Sequence, residues 1–536
     1  MPLRLRPLFL VAAVALVGPP ARAQAPCVAG TATLNGVAYA CSGVDVLAVV
    51  SPQALGAPAG GACPAPYPDI CANDVWGWAD TSAPGTSGRQ YALVGLVNGV
   101  AFVDVTVPNA PRLLGRLPTQ TVNSSWRDVE VYRDHAFVVS EAPNHGMQVF
   151  DLRRLRGLAP DAARLFAPDA VYARIGSAHT VGINAASGVA YAHGSRPQGA
   201  GLPAACTVRG AHAVDIRAPL APAFLTCFND AARETGPRTP GYTHDMVCQT
   251  YAGPDRDYTG REICVASNED VVTVFDATDK AAVRIISQGA YPGAAYTHQG
   301  WFAEGQRFFL VNDELDERNG TTPSQRTVVM DFGDLDAPEF AFAYASGLPV
   351  IDHNLYVRGR YAYESNYEAG LRILDLDGIA AGVIREVAFF DTYPQGQSAQ
   401  FNGQWSNYPF LGGGIVLASD VRNGLFVLRP TALVATAGEA PPSEASGEAG
   451  FALSGPSPNP ASGTATLTLR IDAAQAVRAE VYDTSGRRVR VAFAATATPG
   501  APLQIDIDTA ALAPGTYVVR VTGERSAASR RLVVAR

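Results

Sequence analysis

The sequence predicts an all-β protein, a seven-bladed β-propeller followed by a small C-terminal β-sandwich with an immunoglobulin-like strand pattern. A set of short strands repeats seven times at intervals of about 50 residues, the length of a four-stranded propeller blade. The chain is rich in turn formers, with 52 Gly and 39 Pro, and only 17% of its residues are charged. Residues 451–536 alternate apolar and polar side chains between turn signals, which is typical of a sandwich.

Residues 1–23 predict a signal peptide. Two arginines precede an apolar stretch over residues 8–17, and Ala21 and Ala23 are the small residues that a signal peptidase requires. The apolar stretch is too short to cross a bilayer as a helix, and no later stretch is long enough. We therefore expect an exported chain without a transmembrane segment. A net charge of −8 without a basic cluster argues against a nucleic-acid partner.

The eight cysteines of an exported chain predict disulfide bonds. They fall in four pairs along the sequence: Cys27 and Cys41, Cys63 and Cys71, Cys206 and Cys227, Cys248 and Cys264. Cys248 and Cys264 lie in consecutive strand-like runs, so antiparallel pairing would bring their sulfur atoms within bonding range. Other connectivities stay open. A zinc site is the alternative, but the usual ligand spacing is missing.

Residues 24–72 form an N-terminal segment that carries disulfides and one strand-like run, residues 44–50. The seventh repeat lacks a convincing fourth strand before the chain leaves the propeller at residue 430. A strand from the N-terminal segment would complete that blade and remove an open sheet edge. We expect residues 44–50 to pair there.

The propeller repeat occupies residues 73–430. In each unit a strand rich in Val, Phe and Ile ends in Asp before a turn, and the seventh copy has Arg429 in place of the Asp. The repeated residues are Asp104, Asp151, Asp215, Asp276, Asp331 and Asp375. We interpret them as structural, because an Asp carboxylate accepts backbone N–H bonds from the turn that follows it.

Residues 431–450 are mostly Ala, Gly, Pro, Ser and Glu, and they predict a linker. Four motifs then follow in order along residues 451–536: Ser457–Pro460, Val481–Gly486, Leu512–Tyr517 and Arg531–Val534. Together they resemble the type A C-terminal sorting domain of type IX secretion. The resemblance implies that the type IX machinery carries the chain across the outer membrane, to the extracellular space or the outer cell surface.

The propeller also resembles a known family. The run Val103–Pro111 resembles the LVIVD repeat, and the order of the segments Asn73–Trp78 and Asp313–Glu317 is similar to that of choice-of-anchor B proteins. The resemblance covers roughly residues 27–430. It implies a propeller ectodomain outside the cell, and it implies no reaction.

A candidate site lies at the channel mouth, the end of the ring at which the first strand of each blade begins and the second ends. Aromatic or imidazole side chains open the first strands: Trp76, Trp126, His179, His244, His298, His353 and Trp405. Imidazole combined with carboxylate suits Zn²⁺, Mn²⁺ or Fe²⁺. The predicted metal-binding set is His179, His244, His298, His353, Glu269, Glu314 and Glu364. The alternative is that these repeated positions only pack against neighbouring blades.

A dense acidic run, Asp313 to Glu317 with Asn319 nearby, offers oxygen ligands that suit Ca²⁺. It lacks the twelve-residue calcium-loop pattern. We therefore interpret the run as a solvated acidic loop in preference to a calcium site.

Aromatic loops predict a ligand-binding face formed by Trp76, Trp78, Trp126 and Trp405, and such a face suits a carbohydrate or protein partner. The His-Glu-x-x-His, Gly-x-Ser-x-Gly and phosphate-loop signatures of enzymes are absent from the sequence. We therefore expect a secreted or surface-displayed binding module and assign no catalytic residue. The alternative is a metal-dependent hydrolase or lyase that uses the His and Glu residues of the channel mouth.

Overall fold

The computed structural model describes most of the chain outside its N-terminal and linker segments. The described residues are 24–431 except 60, 65, 81–87 and 232–239; residue 433; and 451–534 except 454–455, 457–460, 472, 484–487, 500–502, 511, 513–514 and 524–526. The predicted signal peptide and most of the predicted linker lie outside them, as does the motif at residues 457–460. The chain divides into two compact units, residues 1–433 and 434–536.

The first unit consists of antiparallel strands joined by turns and by several longer loops. The N-terminal segment forms β1 (Thr31–Leu34), β2 (Val37–Ser42) and β3 (Val44–Val50). The first sheet contains β4 (Ala72–Asp80), β5 (Arg89–Leu96), β6 (Gly99–Asp104) and β7 (Arg112–Pro118). The second contains β8 (Arg127–Tyr132), β9 (His135–Ser140), β10 (Met147–Asp151) and β11 (Ala170–Tyr172).

The third and fourth sheets follow the same plan. Next along the chain are β12 (Ile175–Ser177), β13 (Thr180–Asn184), β14 (Val189–His193), β15 (Arg196–Pro197), β16 (Ala211–Asp215) and β17 (Ala223–Phe228). Of these, β12 and β15 form a separate two-stranded ribbon, and the other four form the third sheet. The fourth sheet contains β18 (Asp245–Thr250), β19 (Glu262–Ser267), β20 (Val272–Asp276) and β21 (Arg284–Gly289).

The last three sheets complete the unit. The fifth contains β22 (Thr297–Phe302), β23 (Phe308–Asp313), β24 (Arg326–Asp331) and β25 (Glu339–Ala345). The sixth contains β26 (Asn354–Arg358), β27 (Tyr361–Ser365), β28 (Leu371–Asp375) and β29 (Arg385–Phe390). The seventh contains β30 (Gln404–Tyr408), β31 (Val416–Asp420) and β32 (Gly424–Pro430). Single 3₁₀ turns lie at Leu152–Leu155, Ala204–Val208, Arg256–Tyr258, Ile379–Ala381 and Gly412–Gly414.

The seven sheets close into a ring. The first strands β4, β8, β13, β18, β22, β26 and β30 contact one another in that order, and β30 contacts β4 again. The predicted all-β class is confirmed, and the ring of sheets is that of a propeller.

The N-terminal segment joins the end of the ring to its beginning. Strand β3 pairs antiparallel with β32, from Val44 opposite Pro430 to Val50 opposite Leu425, and it is the fourth strand of the seventh sheet. Strand β2 pairs with β29, so β1 and β2 extend the sixth sheet to six strands. The segment therefore covers the outer edges of two adjacent sheets, which would otherwise be open to pairing with another chain.

Four disulfides join the predicted cysteine pairs, so the prediction of disulfides is confirmed. The bonds are Cys27–Cys41, Cys63–Cys71, Cys206–Cys227 and Cys248–Cys264. Cys248 lies directly opposite Cys264 in the register of β18 and β19. Each bond links residues that are close in sequence. It therefore restrains a local stretch of the chain and does not tie distant sheets of the ring together.

Polar side chains bridge the first strands of adjacent sheets. Each first strand is the edge of its sheet, and its outward backbone groups need partners. The Oδ2 atom of Asp128 on β8 accepts a hydrogen bond from the Val181 amide on β13 at 2.7 Å. Gln299 on β22 donates to the carbonyl of Leu355 and accepts from its amide, both at 3.0 Å. These bonds fix the position of each first strand relative to the next.

The C-terminal unit is a two-sheet sandwich. Its strands are β33 (Phe451–Leu453), β34 (Thr464–Ile471), β35 (Gln475–Asp483), β36 (Arg488–Ala497), β37 (Leu503–Asp508), β38 (Gly515–Thr522) and β39 (Ala527–Val534). One sheet has the order β33–β34–β37 and the other β36–β35–β38–β39. Along β34 every second residue is buried, because successive side chains point to opposite faces of a strand.

We expect Val46→Asp to destabilise the propeller unit by about 3 kcal/mol, because Val46 is fully buried in β3 and a carboxylate there has no partner. Val37→Asp is the control, since Val37 is 38% exposed on β2. The five tryptophans all lie in the propeller unit, so the urea midpoint is read from their fluorescence. Equal midpoints for the two variants would show that β3 does not hold the ring closed.

Candidate functional site

Four imidazoles and one indole form a continuous arc at the channel mouth. His179, His244, His298 and His353 follow one another with ring centroids 4.3, 4.1 and 4.3 Å apart, and Trp405 lies 4.5 Å beyond His353. They come from the starts of the first strands in sheets three to seven. The structure thus brings together side chains that are up to 226 residues apart in sequence (405 minus 179).

Backbone carbonyls of neighbouring sheets orient two of these imidazoles, His244 and His353. The Nδ1 atom of His244 lies 3.0 Å from the carbonyl oxygen of His298, and Nδ1 of His353 lies 2.6 Å from that of Trp405. An Nδ1–H that donates to a carbonyl leaves Nε2 with a free lone pair. The Nε2 atoms of His298 and His353 lie 3.9 and 3.6 Å from the carboxylate of Glu314.

His298, Glu314 and His353 have the geometry of a metal-binding group. One ligand atom from each lies within 4.8 Å of the other two. A tetrahedral ion with bonds of about 2.1 Å holds its ligand atoms about 3.4 Å apart, so only small movements are needed. The Tyr367 hydroxyl donates a hydrogen bond to Glu314 Oε1 at 2.8 Å and so orients the carboxylate.

The protonation states of this group suit a cation. Burial lowers the pKa of His353 to about 3 and the pKa of His298 well below its usual value, so both imidazoles are neutral, the form that ligates. Burial raises the pKa of Glu314 to about 7, and the hydrogen bond from Tyr367 opposes that rise. A cation in contact with Glu314 would stabilise its ionised form.

The rest of the mouth is both charged and aromatic. His179 Nδ1 lies 2.9 Å from Glu141 Oε1, and the guanidinium of Arg209 lies 3.9 Å from the same carboxylate oxygen. The Arg209 guanidinium carbon also lies 4.9 Å from the centroid of the Tyr242 ring, a cation–π distance. Aromatic side chains complete the wall: Tyr67, Trp126, Tyr296, Tyr367, Phe401 and Trp405. They line part of a cavity of about 420 Å³ that is open to solvent on one side.

Some of the backbone strain of the propeller lies at this cavity. Three residues that line it, Arg209, Glu269 and Tyr367, have left-handed φ values of 54°, 70° and 38°. Such values are unfavourable for side chains with a Cβ atom and persist only where the surrounding structure imposes them. Strain of this kind is common at binding and catalytic sites.

Trp76 does not occupy the position predicted for it. Pairing between β4 and β5 passes from Ala72 directly to Val75, and the two unpaired residues put Asn73 at the strand-opening position. His298 and Trp405 lie in equivalent irregularities of their own sheets. Trp76 is therefore deeper in the channel, with its ring 4.9 Å from that of Tyr408 and 5.8 Å from that of Tyr356.

Two other predicted site residues lie away from the mouth. Trp78 is buried between the first and second sheets, stacked on Tyr91 at 4.8 Å, and its Nε1 donates to Asp134. It therefore has no part in a ligand-binding face. Glu364 is fully buried and accepts hydrogen bonds from Thr327 and Asn366, so its carboxylate is directed between sheets. The predicted Glu269 does line the cavity, outside the group of three.

Sequence reasoning missed the tyrosines and Arg209. A signal for two of them is present, because Tyr242-Thr-His244 and Tyr296-Thr-His298 repeat the same three residues at the start of adjacent sheets. In both copies the tyrosine and histidine ring centroids lie 6.3 Å apart. Arg209 carries no such signal.

The acidic run is not a solvated loop. Asp313 and Asp316 are fully buried and Glu317 is 9% exposed, whereas Asn319 is exposed. The carboxylate of Asp313 accepts bonds from the amides of Ala295 and Tyr296 and from a tyrosine hydroxyl. The first carboxylate of the run therefore anchors the chain that leads to His298.

The fold and the site together define a propeller with a polar and aromatic cavity at one end of its channel. Residues 457–535 match the family model of the secretion system C-terminal sorting domain. That domain engages the type IX secretion machinery and directs export to the cell surface or the extracellular space. No helix in the described part of the chain is long and apolar enough to cross a membrane.

Solved structures with partial similarity include one propeller domain. One is the Cps50 (Swd1) β-propeller domain of Myceliophteria thermophila, at 12% identity and a TM-score of 0.39, covering 63% of this chain and 92% of that one. Another is PorZ, a surface component of the type IX secretion system of Porphyromonas gingivalis. It aligns at 13% identity and a TM-score of 0.39, covering 84% of this chain and 58% of that one. A Lactobacillus plantarum protein aligns at 14% identity and a TM-score of 0.38, covering 81% of this chain and 99% of that one. No curated protein matches the chain.

Glu364→Gln should flatten the pH dependence of stability. Burial raises the pKa of Glu364 to about 7, so the folded state holds a proton that the unfolded state releases near pH 4.5. Stability therefore falls as pH rises from about 4.5 to 7, by roughly 3 kcal/mol from this group, and Glu364→Gln removes that loss. Urea unfolding at pH 4.5 and pH 8 measures this loss of stability in the wild type and in Glu364→Gln. The control is Glu339→Gln, because Glu339 is exposed. An unchanged slope in Glu364→Gln would contradict the assignment.

Proposed function

We propose that the exported propeller is a binding module whose ligand enters the channel mouth, and that the ligand is a carbohydrate. The observation that carries the proposal is the 420 Å³ cavity, which is lined by aromatic side chains and carboxylates. Its volume is within the range of about 300–1,000 Å³ typical of small-ligand sites. It would accommodate one or two sugar rings.

The composition of the cavity supports a sugar over an apolar ligand. Trp126 and Phe401 are partly exposed and offer flat apolar faces against which the C–H face of a sugar ring packs. Glu141, Glu269 and Arg209 supply acceptors and donors for hydroxyl groups. Sequence-remote residues from several sheets meet there, as propeller loops allow.

A metal-dependent hydrolase or lyase is the second candidate, favoured by the group His298, Glu314 and His353. Two imidazoles and one carboxylate with an open fourth position form the donor set of hydrolytic zinc sites. Zn²⁺, Mn²⁺ or Fe²⁺ bound there would polarise a substrate bond or activate water. The residues of this chain would hold the ion, and Tyr367 would orient Glu314.

Sugar binding is expected to depend on Trp126. On a glycan array the full-length protein should bind a restricted set of oligosaccharides, and Trp126→Ala should bind them about tenfold more weakly, because a stacked aromatic contributes about 1 kcal/mol or more. Trp78→Phe is the control, since Trp78 is buried away from the cavity. Wild-type protein that binds no glycan, or equal binding by Trp126→Ala, would contradict the proposal.

Metal content distinguishes the second candidate. If the group is a metal centre, full-length protein purified without a metal-affinity tag should contain about one transition-metal ion per chain by mass spectrometry. Glu314→Gln and His353→Ala should reduce that content at least tenfold. His135→Ala should not, because His135 lies on β9 with Nδ1 against the carbonyl of Arg133. No metal in the wild type would exclude the enzyme hypothesis and leave the binding module.

A further inference from the structure

A second group of acidic side chains lies next in sequence to the residues of the channel mouth. Asp316 and Glu317 belong to the loop between β23 and β24, and Asp352 precedes His353 at the start of the sixth sheet. Asp316 and Asp352 are fully buried, and Glu317 is 9% exposed. One carboxylate oxygen from each lies within 4.8 Å of the other two.

Only part of this group is satisfied by hydrogen bonds. Asp316 accepts from the Arg326 side chain at 2.6 Å and from the Glu317 amide at 2.8 Å. Asp352 Oδ2 accepts from the side-chain amide of Asn312 at 2.9 Å. In the described part of the chain, no donor reaches Asp352 Oδ1 or either carboxylate oxygen of Glu317. The amide oxygen of Asn312 is also without a donor among these residues.

A cation bound between these unpartnered carboxylate oxygens would compensate their negative charge. The guanidinium of Arg326 pairs with Asp316, and its remaining donors bind the carbonyls of Pro292 and Gly293. It therefore leaves Glu317 and Asp352 uncompensated, and burying an uncompensated carboxylate is costly. The atoms that could bind a cation here are all oxygens. Carboxylate and amide oxygens bind hard cations in preference to zinc or copper.

We propose that this group binds one Ca²⁺ ion, with Glu317, Asp352 and Asp316 as its carboxylate ligands. Ca²⁺ accepts six to eight oxygen ligands at about 2.3–2.6 Å, in flexible geometry that carbonyl groups and water complete. Magnesium demands a stricter octahedron and keeps more of its water. Export places the protein where calcium is abundant, and sites in extracellular modules bind it with Kd values of about 10⁻⁴ to 10⁻³ M.

The ion would link two adjacent sheets behind the channel mouth. Glu314 lies two residues before Asp316, and His353 directly follows Asp352. Calcium would therefore fix the loop after β23 to the start of β26, and with it the relative positions of Glu314 and His353. This site is separate from the proposed ligand cavity and does not depend on the nature of the ligand there.

Equilibrium dialysis of full-length, chelator-treated protein against ⁴⁵Ca²⁺ tests the proposal. Wild-type protein should bind one ion per chain more than Glu317→Gln or Asp352→Asn, and Glu304→Gln should match the wild type because Glu304 is exposed in the preceding turn. Mg²⁺ should compete at least tenfold more weakly than Ca²⁺. Equal calcium content in wild type and both variants would overturn the proposal.

A thermal measurement on the wild type alone keeps the test independent of variant folding. Calcium at about 5 mM should raise the Tm of the chelator-treated protein by roughly 2 °C or more, since it binds only the folded state. In chelator, Glu317→Gln should be at least as stable as the wild type, because it removes a carboxylate that lacks a partner. A wild-type Tm that does not respond to calcium would overturn the proposal whatever the variants do.

Discussion

The geometry of the propeller depends on how the open edges of its first strands are satisfied. Each first strand pairs with another strand on one side only. Polar side chains form hydrogen bonds between its other side and the first strand of the next sheet, as Asp128 does with the Val181 backbone and Gln299 with the Leu355 backbone. These bonds set the spacing and rotation between sheets. Since His244, His298 and His353 stand at the beginnings of the same strands, the spacing of their rings follows from that of the strands.

This way of joining sheets places acidic groups deep in the protein. Burial, reinforced by the charge of Asp74, raises the pKa of Asp128 well above its usual value, and burial does the same for Glu130. Burial raises the pKa of Asp245 to about 7. The channel is thus lined with carboxyl groups that accept hydrogen bonds from backbone amides. The residues of the channel mouth are buried in a similar environment of low dielectric constant.

The sequence predicted the repeat, the sandwich, the presence of disulfides and the four imidazoles, because each depends on periodicity or on residue type. It could not predict side-chain direction at strand ends. Trp76 had the expected spacing, yet two unpaired residues in β4 moved the opening position to Asn73. Trp78 and Glu364 face neighbouring sheets. Because successive strand residues point in opposite directions, spacing alone does not tell whether a side chain faces the channel or an adjacent sheet. Glu317 and Asp352 are 35 positions apart (352 minus 317), and only the folded chain brings their carboxylates together.

The pairing of β3 with β32 also orders events in time. Strand β3 cannot form this pairing until β32, the last strand of the ring, has been produced. Contacts between such distant parts of a chain form slowly, since a long loop must close before they are gained. Until then the seventh sheet has a bare edge and the ring is an open arc, exposed to aggregation. Closure is therefore the step that removes the open edge of the seventh sheet.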